Sequence, residues 1–439
     1  MREIEINLTL RFKIPESDFN VNGLLIGLKE SSSQIMLDIS RVLFMAIEND
    51  SVQEILSNDT ENRYSLNGRQ KARTLKTSFG DLAYHFIQLK DNHSNQTIVP
   101  LRDKLGIPKY KRYLDEMMEP SVGLAVHLSY GRAEKEIGRI LDHTSSRWTV
   151  WRRLHTFSDQ CCGFGNLKDI PYTFLMPDGT KVHLQGKGGK DIGQKGLRWA
   201  WASEGVGQPF DIVGIWVDRS WEAIANDLKS RLDYDKIQVL ISDGETGIEN
   251  LLTEGMRHQR CVFHGRRDFP YILYKDGLKK KKQTPFRDLL ESIPAINVST
   301  ASLEKLTEKD KDKVKQICER TETDFKELIE MLDPEKYPKA RTYIQNLSKS
   351  VSTFFNWWLK TGEWIPFTSN IIENRFSQVK NRIKRIGRRW SDTGLLKWLM
   401  VAVKKLFTPY DWEHLWGQFL NLNRPMILTY MKIEYQWIA

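Results

Sequence analysis

The apolar and polar positions along the chain predict a mixture of helices and strands. Residues 4–14 (IEINLTLRFKI) have the pattern of a strand, and residues 27–50 repeat apolar side chains at the spacing of a helix. Residues 63–91 are rich in strand formers and begin with a basic stretch, which favours a small β module. We therefore interpret residues 1–99 as an N-terminal α+β region.

Residues 100–165 are predicted to be helical and contain the pattern of a helix-turn-helix. Apolar residues repeat at helical spacing at Ala133, Ile137 and Ile140, and a polar turn follows at 142–145. The second helix carries side chains able to reach phosphates or base edges in a major groove: Arg147, Thr149, Arg152 and Arg153. A plain pair of packed helices is the alternative interpretation.

From residue 171 onward, strands alternate with helices. Strands are predicted at 172–185, 197–203, 210–218, 236–243 and 259–264, with helices at 220–232 and 246–255. Three strands, a helix, a strand, a helix and a strand is the order of an RNase H-like fold. A doubly wound α/β fold would instead place a crossover helix after nearly every strand.

The remaining segments complete the predicted architecture. Residues 276–366 are helical and highly charged and are interpreted as a helical insertion, and residues 367–407 form one long helical region. The aromatic-rich residues 408–439 are expected to pack back as a C-terminal cap. The fold class is thus an α/β RNase H-like catalytic core (166–275 and 367–407) with a helical insertion. An N-terminal α+β region with a helix-turn-helix precedes it.

Composition and charge narrow the possible partners and cell compartment. Among 439 residues, Lys and Arg number 66 against 56 for Asp and Glu, a formal charge of +10 that weakly favours a polyanionic partner. The four cysteines form no disulfide-scaffold pattern, which favours a reducing, cytoplasmic setting. The opening residues lack the apolar core of a signal peptide, and no apolar run is long enough to span a membrane.

Two aspartates are the first candidates for chemistry. Asp243 ends a run of strand formers, where α/β folds place active-site groups, although it could instead cap the following helix. Asp178 lies on the first predicted strand of the core, but Asp-Gly is also a common hairpin turn. Pro177 before it is unusual inside a strand. Three other aspartates are possible substitutes for Asp178: Asp191, Asp211 and Asp218.

Glu373 is the third candidate carboxylate. Ser369 or Asn370 can cap the helix that begins here, which puts Glu373 near its first turn, where a glutamate often serves only as a capping-box residue or favours the helix dipole. The following stretch is uninterrupted by acidic residues and suits a phosphate backbone. Its basic residues include Arg375, Lys380, Arg382, Arg385, Arg388 and Arg389.

Three carboxylates on separate elements suit phosphoryl transfer with hard divalent cations. Two Mg²⁺ ions, roughly 3.5–4 Å apart, activate the attacking oxygen and stabilise the leaving one, and Mn²⁺ is expected to substitute for Mg²⁺. Cys261 and His264 form a Cys-x-x-His pair after the last predicted strand of the core. We interpret them as packed active-site support, since a structural zinc site usually needs four protein ligands.

These motifs together resemble a known family. Asp178-Gly179-Thr180, Asp243, Cys261-x-x-His264 and a displaced Glu373 occur in the order typical of Mutator-like prokaryotic insertion-sequence transposases, which are DDE enzymes with an RNase H-like catalytic domain. The stretches RYSLNGRQKARTLKTSFGD and SYGRAEKEIGRI also resemble the N-terminal regions of such proteins. The resemblance covers roughly residues 60–407 and predicts the same activity for this chain.

The resemblance implies binding to double-stranded DNA, namely the terminal inverted repeats of a mobile element and the target DNA. The enzyme would cleave a phosphodiester at each end and join the 3′ ends to target DNA, with Asp178, Asp243 and Glu373 holding two metal ions. The helix from Arg375 and the helix-turn-helix near Arg147 would hold DNA, and residues 1–99 are a further candidate for binding its ends. Acting on two ends implies a homodimer or larger assembly, at the nucleoid of a prokaryotic cell. Another RNase H-like nuclease or resolvase, or a catalytically silent transposase-derived DNA-binding protein, are the alternatives.

Overall fold

The computed structural model describes residues 3–14, 20–141, 145–386, 390–422, 428 and 430–433. The chain divides into two compact units. Unit 1 comprises Met1–Cys161 with Lys404–Ala439, and unit 2 comprises Cys162–Val403. Within the described ranges, no helix has the length and apolar character needed to cross a bilayer.

The structure is mixed α/β, as the sequence predicts. Up to residue 161 the elements are α1 (Val21–Ser57), β1 (Tyr64–Arg69), β2 (Arg73–Thr77), β3 (Gly80–Tyr84), β4 (Ile87–Asp91), β5 (Thr97–Ile98), α2 (Pro100–Lys104), α3 (Met118–His127), α4 (Tyr130–Ile140) and α5 (Arg147–Cys161). The next part contains β6 (Phe174–Gln185), β7 (Asp191–Ser203), β8 (Asp211–Val217), α6 (Trp221–Arg231), β9 (Val239–Ser242), β10 (Arg257–Arg260) and α7 (Val262–Lys275). The remaining helices are α8 (Thr284–Ser292), α9 (Thr300–Leu303), α10 (Lys311–Met331), α11 (Pro338–Ser348), α12 (Thr353–Thr361), α13 (Asn370–Ile386), α14 (Asp392–Phe407) and α15 (Pro409–Phe419).

The strand predicted at 4–14 is absent. A strand needs a neighbouring backbone to complete its ladder, and none pairs with these residues within the described chain. The predicted helix at 27–50 is longer than expected, because Asn20 caps it by accepting a hydrogen bond from the Gly23 amide at 3.0 Å. The β module forms as two small antiparallel sheets, one ordered β1-β4-β5 and the other made of β2 and β3.

Unit 1 buries its apolar side chains under α1 and around the helices that follow the β module. Leu37 on α1 packs with Leu75, Leu82 and Phe86 from the strands. The predicted helix-turn-helix corresponds to α4 and α5, which pack on each other and on α3. Residues 142–144 of its turn lie outside the described residues.

The three apolar positions predicted at helical spacing all lie on α4, and two of them are buried. Ala133 and Ile137 are buried on α4, but Ile140 is exposed because the helix ends there. On α15, Trp416 stacks on Phe157 of α5 with ring centroids 4.0 Å apart.

One five-stranded sheet organises unit 2. Its strand order is β10-β9-β6-β7-β8. Strands β6, β7 and β8 are antiparallel, whereas β9 runs parallel to β6 and β10 runs parallel to β9. Helix α6 covers one face, where Ile224 and Leu228 pack with Leu175, Val213 and Leu240 from three strands. The first strand of the unit is therefore central and buried.

Two predicted elements of unit 2 are wrong in extent. The helix expected at 246–255 is reduced to a 3₁₀ turn at Ile248–Leu251, because Gly247 and Gly255 on either side adopt left-handed backbone conformations. The last strand, expected at 259–264, runs from Arg257 to Arg260. Cys261 then takes the N-cap position of α7, so the Cys-x-x-His pair begins a helix.

The inserted helices α8–α12 follow α7, and buried Gln259 ties their end to the sheet. Its side-chain amide donates to the Val351 carbonyl at 2.9 Å and accepts from the Phe354 amide at 2.8 Å. The long helical region expected at 367–407 consists of two helices, α13 and α14. Trp390 lies between α13 and α14, and its backbone carbonyl accepts a hydrogen bond from the Gln185 amide at 2.7 Å. The segment that joins the two helices therefore lies against the end of β6.

Candidate active site

Asp178 lies on β6, and Asp243 directly follows the neighbouring parallel strand β9. Leu175 of β6 lies opposite Leu240 of β9, and each aspartate follows three residues later on its own strand path. Neighbouring strands lie about 4.8 Å apart, and residues of equal register share a face of the sheet. The fold therefore brings together two carboxylates that are far apart in sequence.

Asp178 lies within a strand and does not form the hairpin turn that its Asp-Gly sequence also allows. It lies opposite Trp199 of β7, and its carboxylate accepts a hydrogen bond from the Gly179 amide at 2.7 Å. Pro177 is tolerated because the parallel pairing with β9 covers only Phe174 and Leu175. Only 7% of the Asp178 residue surface is exposed.

The three substitutes for Asp178 are placed differently. Asp191 is exposed at the start of β7 and accepts the Gly193 amide, and Asp218 pairs with Lys195 at 2.9 Å. Asp211 accepts a hydrogen bond from the Tyr172 hydroxyl at 3.2 Å. Each of the three thus has a local partner, whereas Asp178 faces other acids.

Asp243 follows β9 directly and begins a tight turn. Its carboxylate accepts a hydrogen bond from the Glu245 amide at 2.9 Å. Gly244 has a φ of +78°, and a Cβ there would lie 1.9 Å from Cζ of buried Arg260, so glycine is required. The 3₁₀ turn that follows is capped by Gly247 without a side-chain hydrogen bond, which excludes the capping role for Asp243.

Glu373 lies in the first turn of α13, as predicted. The Ser369 hydroxyl donates to Glu373 Oε1 at 2.7 Å, and His264 Nδ1 lies 3.4 Å from the same oxygen. Ser369 therefore orients the glutamate through its hydroxyl. Glu373 is held in one orientation from two sides.

The negative charges of the three carboxylates act on one another. Burial, together with the charges of Asp243 and Glu373, raises the pKa of the Asp178 carboxyl to about 7. Such repulsion between like charges is relieved when a cation binds between them. The donor set consists of carboxylate oxygens, which Mg²⁺ and Mn²⁺ prefer.

Cys261 and His264 lie beside Glu373, at the start of α7. The Ser369 amide donates to the Cys261 sulfur at 3.4 Å. Burial alone would raise the pKa of the Cys261 thiol, but its contacts with His264 and Ser369 outweigh burial and lower it. Burial would likewise lower the pKa of His264, whereas its contacts with Cys261 and the charge of Glu373 raise it.

Cys261, His264 and Glu373 also satisfy the geometry of a metal site. Within the described part of the chain, they are the group whose ligand atoms all lie within 4.8 Å of one another. Asp178 and Asp243 are not members of that group. These three side chains form a compact cluster, and Glu373 is the member whose charge also acts on Asp178.

Comparison with known proteins decides the family. The sequence model described as a transposase of the Mutator family matches residues 28–353, more than half of the chain. The chain belongs to the Mutator family of transposases. The match includes Asp178, Asp243, Cys261 and His264 and ends before Glu373.

Other comparisons add little for this Mutator-family transposase. The solved structure titled Drosophila P element transposase strand transfer complex matches 70% of this chain and 96% of that chain, with 12% identity and a TM-score of 0.35. An identity and a TM-score this low support no inference about the fold or the activity of this chain. Among curated proteins, none matches it.

The basic residues of α13 in this transposase divide into inward-facing and outward-facing side chains. Arg375 donates to the Phe210 carbonyl at 3.0 Å and lies over the Trp201 ring, and Lys380 donates to the Thr180 hydroxyl at 2.9 Å. These two contacts hold the helix on the sheet. Arg382 is half-buried and Arg385 is exposed. The predicted DNA contacts Arg388 and Arg389 lie outside the described residues.

The predicted DNA-contacting arginines of α5 also differ in exposure. Arg147 and Arg152 face solvent. Arg153 is only 6% exposed, and its guanidinium donates to the Ser121 hydroxyl at 2.6 Å and to the Ser145 hydroxyl at 3.1 Å. The expectation that Arg153 reaches DNA is corrected, because its side chain is committed to holding α3 and α5 together.

Several residues around the carboxylates were not among the sequence candidates. Arg198 of β7 pairs with Glu245 at 2.7 Å, and a Cβ on Gly179 would lie 2.9 Å from Glu245 Oε2. Glu245 lies two residues after Asp243, and this proximity could have identified it from the sequence. No feature of the neighbouring sequence identifies Arg198 as part of the site. Burial would lower the pKa of Arg267, but its bond to Asp268 and the charges of Glu373 and Asp243 raise it.

The raised pKa of Asp178 predicts a pH-dependent stability in the metal-free protein. Between about pH 4 and pH 7 the folded state holds a proton that the unfolded state has released, so stability falls as pH rises through this window. Asp178→Asn is expected to remove this loss, worth up to roughly 4 kcal/mol above pH 7. Thermal melts of variant and wild type in EDTA, from pH 5 to pH 8, measure the difference.

Magnesium provides the control for that measurement. Added Mg²⁺ is expected to raise the melting temperature of the wild type and to leave that of Asp178→Asn nearly unchanged, since a ligand of the folded state stabilises it. A variant that melts in parallel with the wild type across the whole pH range would contradict the burial-and-repulsion account.

Proposed function

We propose that this Mutator-family transposase binds the terminal inverted repeats of a mobile element, cleaves a phosphodiester at each end and joins the 3′ ends to target DNA. The observation that carries the proposal is the convergence of three carboxylates: Asp178 lies on β6, Asp243 directly follows the neighbouring parallel strand β9, and the charges of Asp243 and Glu373 both act on buried Asp178. Carboxylates converging from separate elements suit metal-assisted phosphoryl transfer. A DDE-type catalytic site made of these three residues follows.

The strand order supports an RNase H-like catalytic domain for this site. An antiparallel β6-β7-β8 unit extended by parallel β9 and β10 is the arrangement that the predicted element order implies. We assign residues 166–275 and 367–407 to the catalytic domain, 276–366 to the insertion, and 408–439 to the cap. Residues 1–99 and 100–165, with the helix-turn-helix, are assigned to end recognition.

The donor set fits two Mg²⁺ ions, with Mn²⁺ able to substitute. When bound, such ions activate the attacking oxygen and stabilise the leaving one. Asp178 and Asp243 would hold metal from the sheet and Glu373 from α13. Each carboxylate is already oriented by a neighbour: the Gly179 amide, the Glu245 amide and the Ser369 hydroxyl, respectively.

The direct test uses the full chain and a labelled duplex carrying the terminal repeats of the element that encodes it. With Mg²⁺ we expect cleavage that leaves a 3′ hydroxyl, followed by joining of that end to a target plasmid, and neither reaction in EDTA. Cleavage without joining would favour the alternative of another RNase H-like nuclease or resolvase. Binding without cleavage would favour a catalytically silent DNA-binding protein.

Cys261 and His264 are proposed as positioning residues for Glu373. His264→Ala removes one of the two side chains that face Glu373 Oε1, so cleavage at low Mg²⁺ is expected to fall roughly 10- to 100-fold. Because the defect lies in metal affinity, high Mg²⁺ should restore much of the rate. His183→Ala is the matched control, since that histidine is exposed on β6 and its ring nitrogen lies 3.1 Å from the Gln194 side-chain amide. A loss that Mg²⁺ concentration does not change would argue against positioning.

Basic residues of two helices are proposed to hold the DNA backbone: the exposed Arg147 and Arg152 of α5, and the half-buried Arg382 and exposed Arg385 of α13. Arg388 and Arg389, which lie outside the described residues, are proposed for the same role from their sequence position. Arg375 and Lys380 support the α13 part of this proposal by fixing that helix to the sheet. Arg147 and Arg152 lie on α5, the second helix of the proposed helix-turn-helix.

The DNA path on α13 predicts a change in salt dependence. Replacing Arg382 and Arg385 by Ala should weaken duplex binding and reduce the slope of log K against log salt by roughly 2, one phosphate contact for each arginine. Lys280→Ala with Lys281→Ala removes the same charge from exposed positions in the insertion and serves as the control. Equal slopes for the two double variants would place the DNA path elsewhere.

A further inference from the structure

Apolar and polar side chains alternate strictly along residues 3–14. No strand within the described chain pairs with this segment. Apolar side chains occupy every even position: Ile4, Ile6, Leu8, Leu10, Phe12 and Ile14. Polar or charged side chains occupy every odd position: Glu3, Glu5, Asn7, Thr9, Arg11 and Lys13. Such alternation is that of a strand with one apolar face and one polar face.

The apolar face of this segment is open to solvent. Five of its six apolar side chains are between 45% and 51% exposed, and within the described residues no strand pairs with the segment. The first turns of α1 are also apolar and exposed, notably at Val21, Leu25 and Ile26. Several large apolar side chains exposed within one short segment favour an interaction site.

The charges on the polar face indicate which partner fits. Glu3 and Glu5 lie at one end of the segment, and Arg11 and Lys13 lie at the other. If two copies pair antiparallel about Leu8, Glu3 of each copy lies opposite Lys13 of the other, and Glu5 lies opposite Arg11. Opposite charges on facing positions stabilise a strand pair, whereas like charges destabilise it.

We propose that residues 3–14 pair with the same residues of a second copy of this chain, forming an antiparallel ribbon with its two-fold axis at Leu8. The register that matches both charge pairs also places Ile4 opposite Phe12 and Ile6 opposite Leu10. All apolar residues then share one face of the ribbon. The interface is isologous, as a two-fold dimer requires.

A two-stranded ribbon is marginal by itself, so its apolar face must be covered. The exposed first turns of α1 follow the segment in the chain and supply apolar surface from both copies. A stable interface buries roughly 800 Å² on each partner, more than one short strand provides. The ribbon and these helix turns therefore act as one interface.

A second copy fits better than an unrelated partner, because the segment is complementary to its own reverse. Parallel pairing of two copies would place Glu3 on Glu3 and Lys13 on Lys13, which is repulsive at both ends. Among the described edge strands of the small sheets, β1, β2, β3 and β5, none carries acidic residues at one end and basic residues at the other. The dimer depends on neither metal nor DNA, so its test is independent of the proposed catalytic function.

The first test is a charge swap measured by sedimentation velocity on the full chain without DNA. Wild type is expected to dimerise in a concentration-dependent way. Glu3→Lys with Glu5→Arg should weaken the dimer by roughly tenfold or more, and so should Arg11→Glu with Lys13→Glu. The four changes combined should restore it, because every facing pair is again opposite in charge.

The second test is a disulfide at the proposed axis. Leu8→Cys should give a covalent dimer under mild oxidation, because the two copies of position 8 face each other at a separation that a disulfide spans. Ile4→Cys is the control, since its two copies would lie about 26 Å apart in this register. Wild type under the same oxidant accounts for the native cysteines.

The outcomes separate the possible pairings. Charge-reversed variants that dimerise like the wild type, or a combined variant that stays monomeric with unchanged circular dichroism, would overturn the proposal. Equal crosslinking at positions 4 and 8 would indicate parallel pairing. A wild type that stays monomeric and uncrosslinked at every concentration would show that the segment binds something else.

Discussion

Strand cleavage and strand joining are expected to fall roughly a thousandfold or more when Asp243 is replaced by Asn. The amide keeps the size of the side chain and an oxygen that can accept the Glu245 amide, so the turn after β9 should survive. What is lost is the negative charge that would hold a divalent cation beside Asp178. Binding of the terminal-repeat duplex should change little, because that surface lies on other residues.

Asp218→Asn is the matched control for Asp243→Asn. It makes the same chemical change in the same unit, at a position whose carboxylate pairs with Lys195. Cleavage by this variant should stay within about threefold of the wild type, as expected for a surface ion pair. Full activity of Asp243→Asn, measured with Mg²⁺ on a pre-cut duplex, would remove Asp243 from the catalytic site.

Asp178→Asn is expected to have an effect of the same size, roughly a thousandfold, and it decides which aspartate is the first acid. Asp178 shares its register with Asp243 and is buried among like charges, whereas Asp191 is exposed at a hairpin. Asp191→Asn should therefore retain activity. The measurement is cleavage rate as a function of Mg²⁺ concentration for both variants.

The response to Mg²⁺ concentration distinguishes a metal ligand from a positioning residue. If Asp178 holds a cation, no Mg²⁺ concentration should restore the Asn variant to the wild-type rate, in contrast to the expected partial rescue of His264→Ala. An inactive Asp211→Asn beside an active Asp178→Asn would transfer the role to Asp211. That residue would then have to release the Tyr172 hydroxyl.

Glu373 shows how the family match and the structure support different parts of the site. The match ends at residue 353, so it includes the two aspartates and the Cys-x-x-His pair but not the glutamate. The case for Glu373 depends on its contacts with Ser369 and His264 and on its effect on Asp178. The His264 contact links α13, beyond the insertion, to α7 before it, and the charge of Glu373 reaches Asp178 on the sheet.

Local sequence was sufficient for features that depend on local physics. Runs of strand formers predicted β6, β8 and β9, helical spacing predicted α4 and α6, and a polar start to a basic helix placed Glu373 in a first turn. The turn at 246–255 was missed because a periodic pattern does not reveal that Gly247 and Gly255 adopt left-handed conformations. Family membership was also within reach of the sequence, since its motifs are short and ordered.

The sequence by itself determined the order of the five strands of the large sheet, the candidate acids and the family, because each depends on neighbours in the chain. Only the tertiary structure decided that Asp178 and Asp243 share a register, that His264 faces Glu373, and that Arg153 is buried. The reason is physical: strand pairing and burial depend on residues far apart in sequence, and a carboxylate's pKa depends on the charges that folding brings beside it.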